Sequence, residues 1–404
     1  MTSPSRRADV AVVGGGPAGA VVATLLARGG RDIVLAERSP QPRWRACGVF
    51  SSPASVAALL RVGVPQAHLV ALARPIPAMR VETRRGTWFR LTYGDDGSLT
   101  APAVGFDRPA LDSALLGLAV EAGVEVRTGV AVTDVALRRA GSTVTLAGGQ
   151  RIDARVVVGA DGLRSLVARA AGVAQPPTLR GRVGLTFHLR DSRHDVPRDA
   201  RMVVLDGAYC GIAPVPRGRV NVGIVLFGAR YAALLRAKGA AAVASAVLAE
   251  VPVAGDESER WADAERCDEI EGASPLGQRV SRRSVDPWLL VGDAAGFLDP
   301  FTGEGLHRAV VSAELGAAAI GAALDGDGGA FGAYERAMAD RFATKDVVSR
   351  VVQTFLARPA AFEYAASRLA RRAPVRETMG RVMGDLVPAR RALDPTFLAS
   401  LLRP

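Results

Sequence analysis

The sequence predicts an α/β fold: a discontinuous Rossmann-like domain with an inserted antiparallel-sheet domain and a helical C-terminal cover. Three observations predict it. A glycine-rich turn joins an apolar run to an Ala-rich segment near the N-terminus. Two later apolar runs end in Asp-containing turns at 159–162 and 292–293. Between them, apolar and polar residues alternate over 182–227, which is typical of half-buried antiparallel strands.

The N-terminal segment predicts a β-α-β unit. Asp9–Val13 is a short apolar run of the kind found in buried parallel strands. Ala18–Arg28 is predicted to be the following helix, which Gly29 and Gly30 end. Ile33–Ala36 is predicted to be the second strand.

The turn between the first strand and the helix has the spacing G-x-G-x-x-G, formed by Gly14, Gly16 and Gly19. The first glycine permits a tight turn, the second lets the backbone approach a pyrophosphate, and the third lets the helix pack against the strand. Pro17 suits a first helical turn, and Ala18 follows it. The free N–H groups and positive end of the helix would face the phosphates.

An acidic residue ends the second predicted strand. Glu37 lies 18 residues after Gly19, close to the ~20 expected of a carboxylate that binds a ribose hydroxyl, and Arg38 follows it. Strand, turn, helix, strand and acid all stand in order, which favours a nucleotide site over a ligand-free turn. This motif alone does not separate FAD from NAD.

Two later turns each place an aspartate after a predicted strand. Arg155–Val158 leads to Asp161, and Trp288–Val291 leads to Gly292 and Asp293. Ligands of open α/β sheets bind at such carboxyl ends of strands. Each turn alone also suits an ordinary helix N-cap.

Together the three segments resemble the glutathione-reductase-type FAD fold in its para-hydroxybenzoate hydroxylase branch, most closely the geranylgeranyl reductase-like flavoproteins. The resemblance is strong over about half the chain and weak between 173 and 266. It implies FAD as the bound cofactor. No second G-x-G-x-x-G follows a predicted strand, so NAD(P)H is expected to visit as a transient electron donor.

The resemblance also implies roles for single residues. Asp161 would contact the flavin and the nicotinamide donor, Asp293 the flavin ribitol, and the loop from Pro300 to Gly305 the isoalloxazine ring. Arg108 matches an FAD-contacting arginine at a helix start. The expected cofactor-binding residues are Gly14, Gly16, Pro17, Ala18, Gly19, Glu37, Arg38, Cys47, Gly48, Arg108, Val130, Asp161, Gly292, Asp293, Pro300, Gly303, Gly305 and Leu306.

Two residues are candidates for catalysis. Cys47 lies in Arg43–Val49, which resembles the K-x-x-C-G-G segment of the reductases. It is either a thiol near the flavin that donates a proton to the substrate or shapes the pocket, or a small half-buried hydrophobe. His307 begins the predicted helix 306–324 and is either a proton donor or, as we favour, a surface or capping histidine. The other histidines, His68, His188 and His194, have no metal-like spacing, and no metal site is expected.

The segment Tyr209–Pro214 bears on the substrate. It resembles the Y-x-W-x-F-P segment of the isoprenoid reductases, but Gly211 and Ala213 replace its two aromatic residues. The loss of these large side chains argues against a polyprenyl substrate, or else it makes room for a bulkier ring.

The charge balance is strongly basic, with a net charge of +11 from 49 Arg, 2 Lys and 40 acidic residues among 404. A GC-rich genome explains the arginine bias better than a nucleic-acid partner, since no basic stripe interleaved with aromatic residues occurs. The alternative is a basic face for NADPH phosphates or for a peripheral contact with a membrane surface.

Cysteine use and hydropathy bear on location. Three scattered cysteines suit a reducing compartment, and no secretory h-region is present. The longest apolar stretch, Gly239–Ala249, is shorter than the ~20 residues of a membrane span. A cytoplasmic location is therefore expected, and the oligomeric state stays open.

The predicted domains are interleaved along the chain. The FAD-binding domain is predicted at 1–74, 101–178 and 265–326, the substrate domain at 75–100 and 179–264, and the C-terminal helical region at 327–404. We predict a strand pair at 78–83 and 86–92, a helix at 51–61 and a β-meander at 130–146.

The sequence thus predicts an FAD-dependent oxidoreductase that uses NAD(P)H. The favoured reaction is monooxygenation of a lipophilic or aromatic small molecule, in which the protein orients the reactants and excludes water. The alternative is a geranylgeranyl reductase-like double-bond reductase. A further alternative is a non-redox flavoprotein, either a flavin-assisted cyclase or a binding scaffold.

Overall fold

Two sheets of different kind frame the protein in a computed structural model that describes residues 5–45, 48–93, 103–253 and 260–403. The strands are β1 Arg6–Val13, β2 Ile33–Glu37, β3 Phe50–Ser51, β4 Ala73–Ile76, β5 Ala78–Thr83, β6 Trp88–Thr92, β7 Ala103–Phe106, β8 Glu125–Thr128, β9 Val132–Ala136, β10 Ser142–Leu146, β11 Arg151–Gly159, β12 Ala174–Gln175, β13 Val183–Arg190, β14 Ala200–Leu205, β15 Ala208–Val215, β16 Arg219–Leu226, β17 Glu271–Ala273, β18 Arg279–Val280, β19 Ser284–Val285 and β20 Trp288–Leu290. The α-helices are α1 Pro17–Arg28, α2 Pro53–Arg61, α3 Gln66–Leu72, α4 Arg108–Glu121, α5 Leu166–Ala170, α6 Ala229–Ala249, α7 Gly305–Leu324, α8 Ala330–Leu356, α9 Pro359–Arg371, α10 Ala373–Met383 and α11 Pro395–Leu402.

The first sheet is the Rossmann-like one, with the strand order β19-β20-β11-β1-β2-β8. The pairs from β20 to β8 are parallel, and the antiparallel strands β9 and β10 extend the sheet from β11. Because helices cover a parallel sheet, the central parts of its strands are apolar and buried, as the four residues of β1 from Val10 to Val13 illustrate. Helices α1 and α7 pack against each other, and both contribute to the core around this sheet.

The second sheet has the order β17-β13-β16-β15-β14-β5-β6. It is antiparallel as predicted except between β14 and β5, which run parallel. That pair joins residues 79–83 to residues 200–204, so the chain passes through the first sheet between them. Helix α6 covers one face of the second sheet, and helices α8–α11 cover part of the other.

Most predicted elements are present, with ends shifted by one or two residues. The predicted helix 51–61 begins later, at Pro53, because Ser52 accepts a hydrogen bond from the Ser55 N–H and caps it. The predicted strand 86–92 begins at Trp88, because Gly86 lies in the turn with φ of 86°. A small third sheet, β3-β7-β4, was not predicted. The predicted limits of the domains stay predictions.

Helix α6 differs most from expectation. Although it contains Arg230, Arg236 and Lys238, this 21-residue helix is long and apolar enough to cross a membrane, by length and composition, with a mean hydropathy of 1.5; no other helix in the described ranges is. The sequence prediction of an apolar stretch beginning at Gly239 was therefore too short. Gly239 nevertheless breaks the helical backbone, with φ of 78° and ψ of −179°, and side chains such as Tyr231 and Val247 pack on the second sheet. The cytoplasmic location stays a prediction.

Candidate active site

The three glycines of the G-x-G-x-x-G spacing have different structural reasons. A Cβ on Gly14, whose φ is 104°, would lie 2.4 Å from the Ala160 carbonyl oxygen. A Cβ on Gly19 would lie 1.9 Å from the Gly14 carbonyl oxygen. A Cβ on Gly16 would meet no protein atom within 4 Å. The fold therefore explains the first and third glycines, whereas the second leaves space for a ligand at the N-terminus of α1, as a pyrophosphate requires.

Glu37 lies buried at the carboxyl end of β2. Its Oε2 accepts a hydrogen bond from the Gly15 N–H at 2.8 Å, and its Oε1 accepts from the Ser39 N–H at 2.9 Å and the Arg45 guanidinium at 2.7 Å. Burial alone raises the pKa of Glu37, but these hydrogen bonds outweigh it and hold the pKa below its usual value. The carboxylate is thus ionised and fixed. Arg45 completes this site and was missed as a cofactor-site residue, although its segment was noted.

Asp161 combines the two roles that the sequence left open. Its Oδ2 accepts the Leu166 N–H at 2.6 Å and so caps helix α5. Its Oδ1 is buried and accepts no hydrogen bond from the residues described. Burial raises the pKa of Asp161, against the hydrogen bonds that lower it. One oxygen is therefore structural, and the other is left for a bound group.

Asp293 stands in the turn after β20 and lines the same cavity as Asp161. Burial raises the pKa of Asp293 to about 6, against the opposing charges of Arg108 and Arg308. Arg108 itself donates to the Gly48 carbonyl at 2.8 Å and contacts Asp112. A hydroxyl-rich ligand such as a ribitol chain would solvate the Asp293 carboxylate that the protein leaves poorly stabilised.

The late loop brings a second helix N-terminus to the cavity. Asp299 accepts the Phe301 N–H at 3.0 Å, and Gly303, with φ of 68°, packs so closely on Phe50 that a Cβ would lie 2.6 Å from its ring. Helix α7 then begins at Gly305 with no side-chain cap hydrogen bond. Its N-terminus therefore presents a partial positive charge to the cavity.

A buried polar cluster anchors this loop to the rest of the molecule. Asp299 accepts from the Tyr209 hydroxyl at 2.6 Å, from the Gln353 amide at 2.8 Å and from Arg182. These partners come from the second sheet and from helix α8. The loop beside the cofactor site is thus fixed to the substrate side of the cavity and to the C-terminal helices.

One cavity of about 930 Å³ joins nearly all the predicted cofactor residues. Those that line it are Gly14, Gly16, Pro17, Ala18, Glu37, Arg38, Gly48, Arg108, Asp161, Gly292, Asp293, Pro300, Gly303, Gly305 and Leu306. Gly19 acts behind the turn, and Val130 donates its N–H to the Glu37 carbonyl at 3.1 Å instead of lining the cavity. Cys47 lies outside the described residues.

His307 does not lie where the sequence favoured. Its ring is buried, Nε2 is 2.7 Å from the Arg341 guanidinium, and it is not among the residues that line the cavity. The surface position is therefore wrong, since Arg341 of α8 covers the ring. Burial lowers the pKa of His307, so the imidazole is neutral near pH 7. A role for His307 in proton transfer stays a prediction that this placement does not favour.

The far half of the cavity is apolar. Side chains from β5, β6, β14 and the C-terminal helices line it, including four of the six methionines of the chain, Met79, Met202, Met379 and Met383. Arg201 also borders it, but its side chain lies on the opposite face of the sheet, on the side of Ile212, where it is buried and paired with Glu82, at 2.6 Å from Nε. The sequence prediction had assigned 327–404 only a covering role, because contacts so distant in the chain leave no local pattern.

The cavity therefore has a polar half formed by loops at the ends of parallel strands and an apolar half formed by the second sheet and α8–α10. No group of three or more His, Cys, Asp or Glu in the part of the chain that the structure describes is placed to hold a metal ion. A family model described as FAD binding domain matches residues 7–341. The chain belongs to this FAD-binding family. FAD is thus the cofactor that the turn of Gly16 and the carboxylates of Asp161 and Asp293 fit.

Relatives extend the match to most of the chain. It is 29% identical over 404 residues to a menaquinone reductase of Mycolicibacterium smegmatis, covering 94% of this chain and 92% of that protein. It is 31% identical over 337 residues to digeranylgeranylglycerophospholipid reductase 2 of Methanopyrus kandleri, covering 79% and 78%. A flavoprotein/dehydrogenase from Cytophaga hutchinsonii shares the fold, with a TM-score of 0.81, 21% identity and coverage of 96% and 95%. The protein is an FAD-dependent oxidoreductase.

Proposed function

We propose that this oxidoreductase reduces a carbon–carbon double bond of a lipophilic small molecule with electrons from NAD(P)H. The balance is NAD(P)H + H⁺ + C=C → NAD(P)⁺ + HC–CH. The observation that carries the proposal is the continuity of the cavity, in which the dinucleotide cradle opens directly into a space lined mainly by apolar side chains. The similarity to two reductases of lipophilic substrates over most of the chain supports it. The sequence alone had favoured monooxygenation, and this similarity reverses that order.

FAD, when bound, accepts the electrons of the nicotinamide and passes them to the substrate. The chain's own residues would hold it: the N-terminus of α1 at Gly16 would bind the pyrophosphate, Glu37 and Asp293 would accept hydrogen bonds from sugar and ribitol hydroxyls, and the N-terminus of α7 would stabilise negative charge on the ring. We place the chain in the para-hydroxybenzoate hydroxylase branch of the glutathione-reductase-type fold. Nicotinamide would then approach beside Asp161, where Arg164 and Arg169 also line the cavity.

Monooxygenation is the second candidate, with the balance NAD(P)H + H⁺ + O₂ + RH → NAD(P)⁺ + ROH + H₂O. The observation that favours it is the replacement of two aromatic side chains by Gly211 and Ala213, both of which line the cavity. This wall suits a ring better than a polyprenyl chain. An apolar wall beside the flavin would also help to keep water from reactive oxygen chemistry.

One comparison separates the two reactions. Purified FAD-loaded protein is incubated with NADPH and a lipophilic polyprenyl acceptor under argon and under ¹⁸O₂. The reductase proposal expects turnover under argon and a product two hydrogens heavier than the substrate. Oxygen-dependent turnover with ¹⁸O in the product would overturn it in favour of monooxygenation. Cys47→Ser would test whether the thiol, for which the proton-donor role stays a prediction, slows product formation while flavin reduction continues.

A further inference from the structure

The centre of the second sheet has a bare patch that faces the cavity. On β15 the residues Tyr209, Gly211 and Ala213 line the cavity, and on β16 Asn221, Gly223 and Val225 do so. Gly211 and Gly223 are direct cross-strand partners. Two adjacent strands therefore lack a side chain at directly opposed positions.

Space lies above this glycine pair. A Cβ on Gly223 would meet no protein atom within 4 Å, and a Cβ on Gly211 would meet only the mobile end of Met202, at 3.4 Å from Cε, and more distant atoms. Ile212 and Ile224 belong to the core on the opposite face, yet they also line the cavity. The strand backbone itself is thus exposed between the flanking side chains, which forms a shallow trough with a flat floor.

Neither the fold nor strand stability calls for these glycines. Glycine weakens a strand because it loses backbone entropy and packs no side chain, and it often marks the close approach of a ligand. Close protein contacts exclude a side chain at Gly14 and Gly19, but no such contact exists at Gly223. A flat ligand that lies on the trough would supply the missing contact.

Asn221 gives the trough a polar edge. Its Nδ2 donates to the Thr186 hydroxyl oxygen at 2.9 Å and to the Phe187 carbonyl oxygen at 3.2 Å. A carbonyl oxygen only accepts, so the amide nitrogen must face it and the orientation of the amide is determined. The side-chain oxygen Oδ1 accepts no hydrogen bond from the described residues and remains available to a molecule in the cavity. Asn221 therefore offers an acceptor and no donor.

The charged side chains nearby lie on the other face of the sheet. Arg201 is the cross-strand partner of Ile212, which belongs to the core on that face, and its guanidinium is held there by Glu82 at 2.6 and 3.0 Å. Asn221 therefore defines the polar contact in the trough: its acceptor repels an anionic oxygen, whereas a neutral hydroxyl satisfies it.

We infer that the trough of Gly211 and Gly223 binds a planar ring that carries a hydroxyl group, and that Asn221 Oδ1 accepts the hydrogen bond from this hydroxyl. The inference rests on the proposed function only in taking the cavity as the substrate site. It names the substrate class as an apolar hydroxyarene, and it holds whether the reaction adds hydrogen or oxygen.

The test is a titration of FAD-loaded protein with 2-naphthol and with naphthalene, followed by the change in bound-flavin absorbance. A site with a buried acceptor rejects a ligand that lacks the matching hydroxyl, so at least tenfold tighter binding of 2-naphthol is expected. Naphthalene is smaller, and poorer fit cannot explain its weaker binding. Equal affinities, or no binding of either probe up to its solubility limit, would overturn the inference.

Two variants assign the effect to the trough. Gly223→Val fills the floor of the trough with a residue that strands favour. It should weaken the binding of 2-naphthol at least tenfold. Gly272→Val is the matched control, because Gly272 lies in β17 of the same sheet, is exposed and does not line the cavity. Unchanged binding in Gly223→Val, or an equal loss in Gly272→Val, would contradict the placement.

Asn221→Leu tests the hydrogen bond. It should bring the affinities for 2-naphthol and naphthalene within about threefold of each other, with FAD still bound. If the variant still binds 2-naphthol tenfold more tightly than naphthalene, Asn221 does not accept the hydrogen bond. Failure of the reductase proposal would appear separately, as oxygen-dependent turnover with unchanged probe binding.

Discussion

The two halves of the cavity differ in how far the fold itself requires their glycines. In the cofactor half, Gly14 and Gly19 allow backbone segments to approach within distances that no side chain permits, whereas Gly16 faces open space. In the substrate half, Gly223 faces open space, and no protein contact excludes a side chain at this position. The cofactor half thus recognises its ligand by fixed backbone geometry, whereas the substrate half does so by the volume that side chains leave free. Single substitutions should have severe effects in the first half and graded effects in the second.

The largest effect is expected for Gly16→Asp. A side chain at this position meets no protein atom, so the fold should persist, but its carboxylate would oppose the cofactor pyrophosphate at the N-terminus of α1. The purified variant should be colourless, with the circular dichroism of the parent. Gly328→Asp, in an exposed turn where a side chain also meets nothing, is the control and should stay yellow. A yellow Gly16→Asp protein would show that the turn does not hold FAD.

Asp293→Ala should weaken FAD binding by roughly ten- to a hundredfold, the effect of losing a hydrogen bond to a charged acceptor worth about 1.5–3 kcal/mol. Glu37→Ala should behave alike. Isothermal titration of the FAD-free proteins measures both. If both variants bind FAD with the affinity of the parent, these two carboxylates do not contact the cofactor.

The ionisation of Asp293 adds a pH dependence to the FAD-free protein. Burial raises the pKa of Asp293 to about 6 in the folded state, above the ordinary value of 3.8. The folded state therefore binds the proton more tightly, and this contribution to stability is present below pH 3.8 and lost as the pH rises through 6. Asp293→Asn should raise the Tm relative to the parent at pH 7.5, and the gain should disappear towards pH 4. A constant difference across this range would contradict the assignment.

A smaller effect is expected for Tyr209→Phe, which removes one hydrogen bond to Asp299. Arg182 and Gln353 remain as partners, so the loss should be about 1 kcal/mol in the free energy of unfolding, measured in urea. The variant sharpens the comparison because Tyr209 belongs to the substrate sheet and Asp299 to the cofactor loop. A slower flavin reduction at unchanged FAD affinity would show that the two halves are coupled through this bond.

The smallest effect is expected for Met379→Leu in the apolar wall. A volume-conserving exchange of this kind costs less than about 1.5 kcal/mol, and the unbranched methionine adapts to ligands where leucine does not. The affinities for a series of 1-alkanols should therefore spread more widely with chain length in the variant. Met338→Leu, buried in the core of the first sheet and away from the cavity, is the control. If the affinity depends on chain length in the same way in both variants, Met379 does not make the apolar wall adaptable.

The difference between the halves also explains how far the sequence could predict them. Turn chemistry is local, so the spacing of Gly14, Gly16 and Gly19 and the aspartates after β11 and β20 was sufficient to predict residues that meet at one cavity. Alternation likewise predicted the strands of the second sheet.

Long-range packing left no such signal. The cross-strand pairing of Gly211 with Gly223, the burial of His307 under Arg341, and the reach of Met379 into the cavity each depend on contacts between distant segments. The parallel pairing of β14 with β5 was missed for the same reason: alternation specifies a strand and not its partner.

The position of β20 and α7 in the chain has a consequence for synthesis on the ribosome. The predicted cofactor residues that line the cavity extend along the chain from Gly14 to Leu306. The strand β20, Trp288–Leu290, completes the parallel part of the first sheet by pairing with β11. A nascent chain therefore exposes the apolar faces of β1, β2 and β11 long before α7 can cover α1. FAD can stabilise the protein only after this late segment has emerged, so the interval before it is the period in which the growing chain depends on chaperones.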